Sequence, residues 1–123
     1  MTTEKKILII DDDARNIFAL SAVLRSRKLA SVTAASATEG LAILKERNDI
    51  GIVLIDMMMP DMDGYTAIPE IKKMEKTTVI PVIAVTGQAM MGDKERCLQA
   101  GADAYISKPV DIDHLLKILN GYM

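Results

Sequence analysis

A short apolar run near the middle of the sequence ends on an acid and limits the folds that the chain can adopt. The stretch IVLIDMMMPDMDG (52–64) begins with four β-branched or aliphatic residues that do not alternate with polar ones. Such a continuous run is typical of a strand buried on both faces, as in a parallel sheet. Asp56 follows directly, so we expect its carboxylate where the strand leaves the sheet, and Pro60–Gly64 has the composition of a turn in the loop beyond. An acid in that position requires a chemical reason.

The length and composition narrow the class of protein. A chain of 123 residues predicts one domain, residues 1–123, which can bury about two-thirds of its unfolded surface. Cys97 is the only cysteine, which excludes an intramolecular disulfide and favours a reducing compartment, so we expect a cytoplasmic protein. No apolar run approaches the roughly 20 residues of a spanning helix, and no membrane association is expected. Fifteen basic and seventeen acidic residues, without a basic cluster, argue against direct nucleic-acid binding.

Strand-like and helix-like patterns alternate along the chain. We expect short strands at Lys6–Ile10, Ser31–Ala35, Ile52–Ile55, Pro81–Val85 and Ala104–Ser107. The spacing of apolar residues predicts helices over Ala14–Ser26, from Ser36 or Thr38 to about Arg47, within Tyr65–Met74, over Lys94–Ala100 and over Ile112–Leu119. Pro69 cannot lie in a helix interior without loss of a hydrogen bond, so the third helix is expected to start late, near Pro69, or to kink. This alternation predicts an α/β domain with a mostly parallel sheet that helices cover on both faces.

Polar residues follow four of the predicted strands. Asp11 and Asp12 come after the first strand, Asp56 after the third, and Thr86 and Lys108 after the fourth and the fifth. Ligands of such sheets bind outside the carboxyl ends of the strands, where the strand order reverses, so we expect these side chains to share one site. Two carboxylates about 4 Å apart repel each other by on the order of 4 kcal/mol at an effective dielectric constant of about 20. A hard divalent cation offsets this repulsion, and Mg²⁺ suits a few carboxylates, a backbone carbonyl and phosphate oxygens.

A metal ion that also binds phosphate oxygens implies phosphoryl transfer. Asp56 is the candidate nucleophile, because a carboxylate can accept a phosphoryl group as an aspartyl phosphate. Lys108 would supply a positive charge to one phosphoryl oxygen, and Thr86 would donate a hydrogen bond to another. The sequence therefore predicts a phosphoacceptor site at Asp56.

Four segments, in order along the chain, are similar to one known family: ILIIDDD, VLIDMMMPDMDG, AVTG and YISKP. Together they resemble a response regulator receiver domain of bacterial two-component signalling, and the resemblance extends from Lys6 to Leu119. The segments RNIFAL, MMMPDMDGYTAI and AMMGDKERCLQAGADAYISKPV are most similar to the receivers of hybrid sensor histidine kinases. The resemblance implies a flavodoxin-like, doubly wound parallel sheet of five strands in the order 2-1-3-4-5, with five helices.

The resemblance also implies how the acids would act. Asp56 would be the phosphoacceptor. Mg²⁺ would be bound by Asp12, by Asp56 and by the main-chain carbonyl of Met58, with Asp11 acting through metal-bound water. The acids after the first strand would thus help to hold the metal ion beside the phosphoacceptor at the end of the third strand.

Other residues would bind the phosphoryl group or respond to it. Thr86 and Lys108 would contact it, and Tyr105 would be an aromatic switch whose ring moves inward as Thr86 is drawn to the phosphate. The Lys108–Pro109 peptide bond would be cis. Gln88, two residues after Thr86, would either orient the water that attacks the aspartyl phosphate during dephosphorylation or have no role.

The implied function is Mg²⁺-dependent transfer of a phosphoryl group to Asp56. The donor would be a phosphohistidine on a sensor histidine kinase or on a histidine phosphotransfer protein. The added charge would switch a protein-interaction face that a downstream effector protein reads. Such a domain is not an enzyme in the ordinary sense, because it assists only its own phosphorylation and dephosphorylation.

Two other functions compete with this interpretation. A degenerate receiver that serves only as a protein-binding scaffold would not need the retained acids, threonine and lysine of the site. A small Mg²⁺-dependent phosphatase with an aspartyl nucleophile would carry paired acids after its first strand, as Asp11 and Asp13 are here. In such phosphatases a Thr or Val usually stands where this chain has Arg15, and 123 residues leave no room for a cap domain.

Overall fold

The computed structural model describes residues 5–60, 62–87 and 92–122. Within these ranges the chain forms β1 (Lys6–Ile10), α1 (Ala14–Ser26), β2 (Ser31–Ala34), α2 (Ala37–Glu46), β3 (Ile50–Asp56), α3 (Gly64–Lys73), β4 (Val82–Thr86), α4 (Asp93–Ala100), β5 (Ala104–Ser107) and α5 (Ile112–Tyr122). Asp61, in the expected turn, and Gln88, the candidate water-orienting residue, lie outside the described ranges. None of these described helices is both long enough and apolar enough to cross a membrane.

The five strands form one parallel sheet in the order β2-β1-β3-β4-β5. From β1 the chain moves outward to β2 and then crosses to β3 on the other side of β1, so the strand order reverses between β1 and β3. The register pairs Ile10 with Ile55, which brings the ends of these two strands level. The predicted topology is confirmed. Asp11 and Asp56 directly follow those paired residues, at the switch point where the sequence predicts a site.

Helices cover both faces of the sheet, which explains why the strands are apolar without alternation. In β1, Ile7 and Ile9 belong to a cluster with side chains of α1 and α5, whereas Leu8 and Ile10 belong to a cluster with side chains of α2, α3 and α4. In β3 the side chains of Ile52–Ile55 are at most 2% exposed. Burial on both faces therefore confirms the interpretation of the apolar run.

The expected late start of the third helix is wrong. Helix α3 begins at Gly64, and Pro69 lies inside it. Asp63 makes this early start possible, because its Oδ1 accepts a hydrogen bond from the backbone N–H of Thr66 at 3.0 Å. Pro69 has no N–H for the carbonyl of Tyr65, which costs the helix one bond. Burial of the apolar face offsets that loss, and this face includes Ala67, Ile68 and Ile71.

Other boundaries differ from the sequence prediction by one to three residues. Strand β3 begins at Ile50 because that residue already pairs with Lys6 of β1. Strand β4 extends to Thr86, which pairs with Ser107 of β5. Helix α5 continues to Tyr122, beyond the last apolar position that the pattern identified. In the strands, pairing partners distant in sequence set these limits, so local composition does not reveal them.

Candidate functional site

Three carboxylates meet at the carboxyl edge of the sheet. Asp11 and Asp12 follow β1, Asp56 ends β3, and one carboxylate oxygen of each lies within 4.8 Å of the other two. Asp11 and Asp56 are buried, at 3% and 4% exposure, whereas Asp12 is exposed. The acids that the sequence analysis grouped are therefore brought together by the adjacent strands.

Backbone N–H groups orient the two buried carboxylates. The N–H of Asp13 donates to Oδ1 of Asp11 at 2.9 Å, and the N–H of Met58 donates to Oδ1 of Asp56 at 3.1 Å. Each donor lies two residues after its acceptor, as in the local turns that Asp commonly forms. One oxygen of each carboxylate is therefore held by the main chain, and the Oδ2 atoms are left to contact Lys108.

Lys108 reaches both buried carboxylates. Its Nζ lies 3.3 Å from Oδ2 of Asp56 and 3.6 Å from Oδ2 of Asp11. The backbone N–H of Lys108 donates to the carbonyl of Thr86 at 2.7 Å, which fixes the end of β5 against the end of β4. The Lys108–Pro109 peptide bond is cis, as the resemblance implied.

The charges at this edge do not balance. Among the residues that the structure describes, three carboxylates and one ammonium leave a formal charge of −2. Burial raises the pKa of Asp56 above its ordinary value, and the charge of Asp11 acts in the same direction, against the N–H of Met58 and the ammonium of Lys108. A divalent cation with oxygen ligands matches both the missing charge and the donor atoms, so the residues fit Mg²⁺.

Thr86 and Met58 lie beside the acids, in different surroundings. Thr86 is buried, at 1% exposure, and follows Val85, the residue of β4 that pairs with Asp56. Met58 is two residues after Asp56, and its side chain is half-exposed, at 51%. The roles that the resemblance implied for the Thr86 hydroxyl and the Met58 carbonyl remain predictions.

Gly64 is a supporting residue that the sequence analysis treated only as part of a turn. Its N–H donates to the carbonyl of Met57 at 3.2 Å, and a Cβ on Gly64 would lie 3.0 Å from the Cα of Met57. Only glycine allows this close approach of α3 to the segment after Asp56. A glycine after Asp in a turn is too common a pattern to have identified this contact.

Tyr105 lies farther from the acids than the other candidates. It pairs with Ala84 of β4, two residues before Thr86, and its ring is half-buried. Its hydroxyl donates to Oδ2 of Asp93 at 3.4 Å. Asp93 is the first residue of α4, whereas the sequence pattern began that helix at Lys94. The sequence did not predict the contact of Tyr105 with Asp93, because it joins two elements that only the tertiary fold brings together.

A groove of about 610 Å³ opens beside the carboxylates. Asp11, Asp56 and Lys108 line it together with apolar residues of α1 and of the segment leading into α5, among them Leu20, Val23, Val110 and Ile112. No sequence motif predicted the groove, because it is formed by elements far apart in the chain. It gives the site one wall of apolar side chains.

The sequence is similar to known proteins along nearly its whole length. The family model of the response regulator receiver domain matches residues 7–120. The sensor histidine kinase RcsC of Escherichia coli is 39% identical over 116 residues, which are 94% of this chain but only 12% of RcsC. The chain thus spans about one-eighth of that relative's length. The polar-differentiation response regulator DivK of Brucella abortus is 30% identical over 119 residues, which cover 97% of this chain and 96% of DivK.

Solved structures of receiver domains have the same fold as this chain. The receiver domain of the sensor histidine kinase PA1611 from Pseudomonas aeruginosa superposes with a TM-score of 0.88 at 32% identity, covering 97% of each chain. That structure has a magnesium ion coordinated in its active site cleft. A response regulator receiver protein from Pseudomonas putida superposes with a TM-score of 0.90 at 28% identity, covering 98% of this chain and 99% of the other.

Replacing Asp56 with Asn should stabilise the protein in the absence of divalent cations. Asp56→Asn removes a buried charge beside Asp11, and we expect the free energy of unfolding at pH 7 to rise by on the order of 1 kcal/mol. Because folding raises the pKa of Asp56, its contribution to stability is complete below the unfolded value of 3.8 and is lost as the pH rises through the folded value. The gain should therefore shrink toward acidic pH.

Urea denaturation in EDTA measures this effect. Asp63→Asn is the matched control, because Asp63 caps α3 outside the cluster and Asn caps helices as well as Asp does. The control should leave stability almost unchanged. An Asp56→Asn protein no more stable than the wild type would contradict the charge imbalance.

Proposed function

Because this chain belongs to the response regulator receiver domain family, we propose that it is a phosphoacceptor domain of a two-component phosphorelay, with Asp56 as acceptor. One observation carries the assignment of the residue: the carboxylate of Asp56 is buried beside Asp11 and Lys108 at the carboxyl edge of the sheet. An acid that only caps a helix or stabilises a turn does not need to be buried beside another acid and a lysine. In this proposal residues 1–123 form a single domain.

Mg²⁺ is the proposed cofactor. Asp11, Asp12, Asp56 and the main-chain carbonyl of Met58 would hold it, Asp11 through water. The excess negative charge of the cluster supports this, as does the magnesium ion of the related PA1611 receiver. Bound Mg²⁺ would supply positive charge that offsets the carboxylates and the incoming phosphoryl oxygens. Asp12 is exposed, so it can serve as a ligand without the cost of burying another acid.

The proposed reaction is attack by a carboxylate oxygen of Asp56 on the phosphorus of a phosphohistidine. The bond from Asp56 to phosphorus forms, the phosphorus–nitrogen bond breaks, and the released imidazole takes up a proton from water. The N–H of Met58 holds the carboxylate in one orientation before attack. Pre-orientation of a reacting group of this kind lowers the entropic cost of the step.

Lys108 and Thr86 would bind the product. Nζ of Lys108 lies 3.3 Å from Asp56, so a phosphoryl oxygen on that carboxylate would come within its reach. Thr86 is on the neighbouring strand, and its hydroxyl would donate to a second phosphoryl oxygen. Inward movement of Tyr105 as Thr86 shifts would carry the change to the surface formed by α4 and β5, which an effector protein would read.

The chain would act on itself rather than turn over a substrate. It would assist only its own phosphorylation and dephosphorylation, with a sensor histidine kinase or a histidine phosphotransfer protein as its donor. We assign it to the cytoplasm, where the free thiol of Cys97 would remain reduced.

The donor would approach over α1. Ala14, Phe18 and Ala22 are four residues apart and exposed, so they form one apolar row along this helix. Phe18 is 76% exposed, and the next turn of the helix lines the groove that leads to Asp56. An exposed aromatic residue between small ones suits an apolar side chain or helix of the donor protein.

Acetyl phosphate with Mg²⁺ tests the proposed function directly. The wild type should gain one phosphoryl group by intact mass, and Asp56→Asn should gain none, because the nucleophile is removed. Asp63→Asn should react as the wild type does. A wild type that gains no phosphoryl group would favour the scaffold function, and sustained hydrolysis of a simple phosphate ester would favour the phosphatase.

Phe18→Ala should slow transfer from a protein donor without affecting acetyl phosphate. We expect about a tenfold lower rate of phosphotransfer from a histidine phosphotransfer protein that phosphorylates the wild type. An aromatic side chain that becomes buried in a complex often contributes more than about 1 kcal/mol to the binding free energy. Val79→Ala is the control, because Val79 is 83% exposed and precedes β4, at the opposite edge of the sheet. Equal slowing with both phosphodonors would contradict a docking role for Phe18.

A further inference from the structure

Two tyrosines from different elements donate to one buried carboxylate away from the acidic site. Asp93, the first residue of α4, is only 7% exposed. The hydroxyl of Tyr65, from α3, donates to its Oδ1, and the hydroxyl of Tyr105, from β5, donates to its Oδ2 at 3.4 Å. Asp93 therefore joins three elements that have no direct part in binding phosphate.

The two tyrosines are held to α4 with unequal strength. Tyr65 has three contacts with α4: its hydrogen bond to Asp93, a weak one from Sγ of Cys97 at 3.9 Å, and the guanidinium of Arg96 at 4.3 Å from its ring centroid. Tyr105 has a single long hydrogen bond to this helix. Tyr105 can therefore detach from Asp93 while α3 and α4 remain joined through Tyr65.

Both hydroxyls remain donors at neutral pH. Burial raises the pKa of Tyr65 and of Tyr105 above the ordinary value for a phenol, so neither loses its proton. The Asp93 carboxylate accepts from both hydroxyls, and it lies in the first turn of α4, where an acidic residue is favoured. The Tyr105 hydroxyl thus keeps the proton that it donates to Asp93.

We propose that Asp93 is a positioning residue that holds the Tyr105 hydroxyl in the unphosphorylated protein and thereby opposes the change that phosphorylation favours. This inference rests on the proposed function, in which Tyr105 moves inward. If that movement breaks the bond to Asp93, the bond stabilises only the starting arrangement. Its removal must then increase affinity for a phosphoryl group, because a ligand and a conformational equilibrium affect each other reciprocally.

Beryllium fluoride with Mg²⁺, a mimic of the phosphoryl group, measures this coupling by calorimetry. Asp93→Ala and Tyr105→Phe should each tighten binding about fivefold, the lower end of common coupling strengths, because the bond is long. Asp93→Ala introduced into Tyr105→Phe should tighten binding no further, since the Tyr105–Asp93 bond is already absent and loss of the Tyr65–Asp93 bond is not expected to affect this affinity. Unchanged affinity in Asp93→Ala, or equal tightening in both backgrounds, would overturn the inference.

Tyr65→Phe separates this role from simple destabilisation. It removes the other bond to Asp93, so it should lower the free energy of unfolding without tightening beryllium fluoride binding. Tightening by Tyr65→Phe as large as that by Asp93→Ala would mean that loosening α4 is the cause, and would overturn the specific role of Tyr105.

A second measurement does not require the phosphoryl site. Ring resonances of labelled Tyr105 should shift in Asp93→Ala in the absence of beryllium fluoride, and those of Tyr122, which bonds to the carbonyl of Asp103, should not. A wild type that binds no beryllium fluoride would contradict the proposed function, whereas unchanged Tyr105 resonances in Asp93→Ala would contradict the contact itself.

Discussion

Repulsion among three carboxylates, with one oxygen of each lying within 4.8 Å of the others, determines which ligands the carboxyl edge of the sheet can bind. The parallel sheet imposes it, because β1 and β3 are neighbours and their ends are level. Lys108 offsets part of the repulsion from the end of β5, and the pKa of Asp56 is raised all the same. The clustered negative charge thus lowers the stability of the folded protein. The same charge would attract a cation, which would in turn bind phosphoryl oxygens.

Main-chain contacts keep this arrangement in one geometry. The N–H groups of Asp13 and Met58 each hold one carboxylate oxygen, and the N–H of Lys108 ties its segment to the carbonyl of Thr86. Gly64 lets α3 pack directly on the segment after Asp56. Because backbone groups hold the reacting carboxylate, the proposed reaction needs little reorganisation of the protein before attack.

Much of the fold and of the acidic cluster was predictable because both depend on local patterns. An apolar run without alternation predicted a strand covered on both faces, and an acid directly after it predicted Asp56 at the sheet edge. The start of α3 was wrong, since the cap at Asp63 and the burial of Ile68 and Ile71 outweigh the cost of Pro69. The contact of Tyr105 with Asp93 and the groove beside α1 were not predictable, because they join segments that only the tertiary fold brings together.

Mg²⁺ titration by calorimetry tests whether a divalent cation balances the charge of the clustered acids. The wild type should bind one Mg²⁺ per chain, and Asp12→Asn should weaken binding by about tenfold or more, because an exposed ligand is lost without disturbing the buried pair. Asp13→Asn, which keeps a capping residue on α1 outside the cluster, should bind as the wild type does. Equal Mg²⁺ affinity in the wild type and Asp12→Asn, or no binding to the wild type, would contradict a cation site formed by these acids.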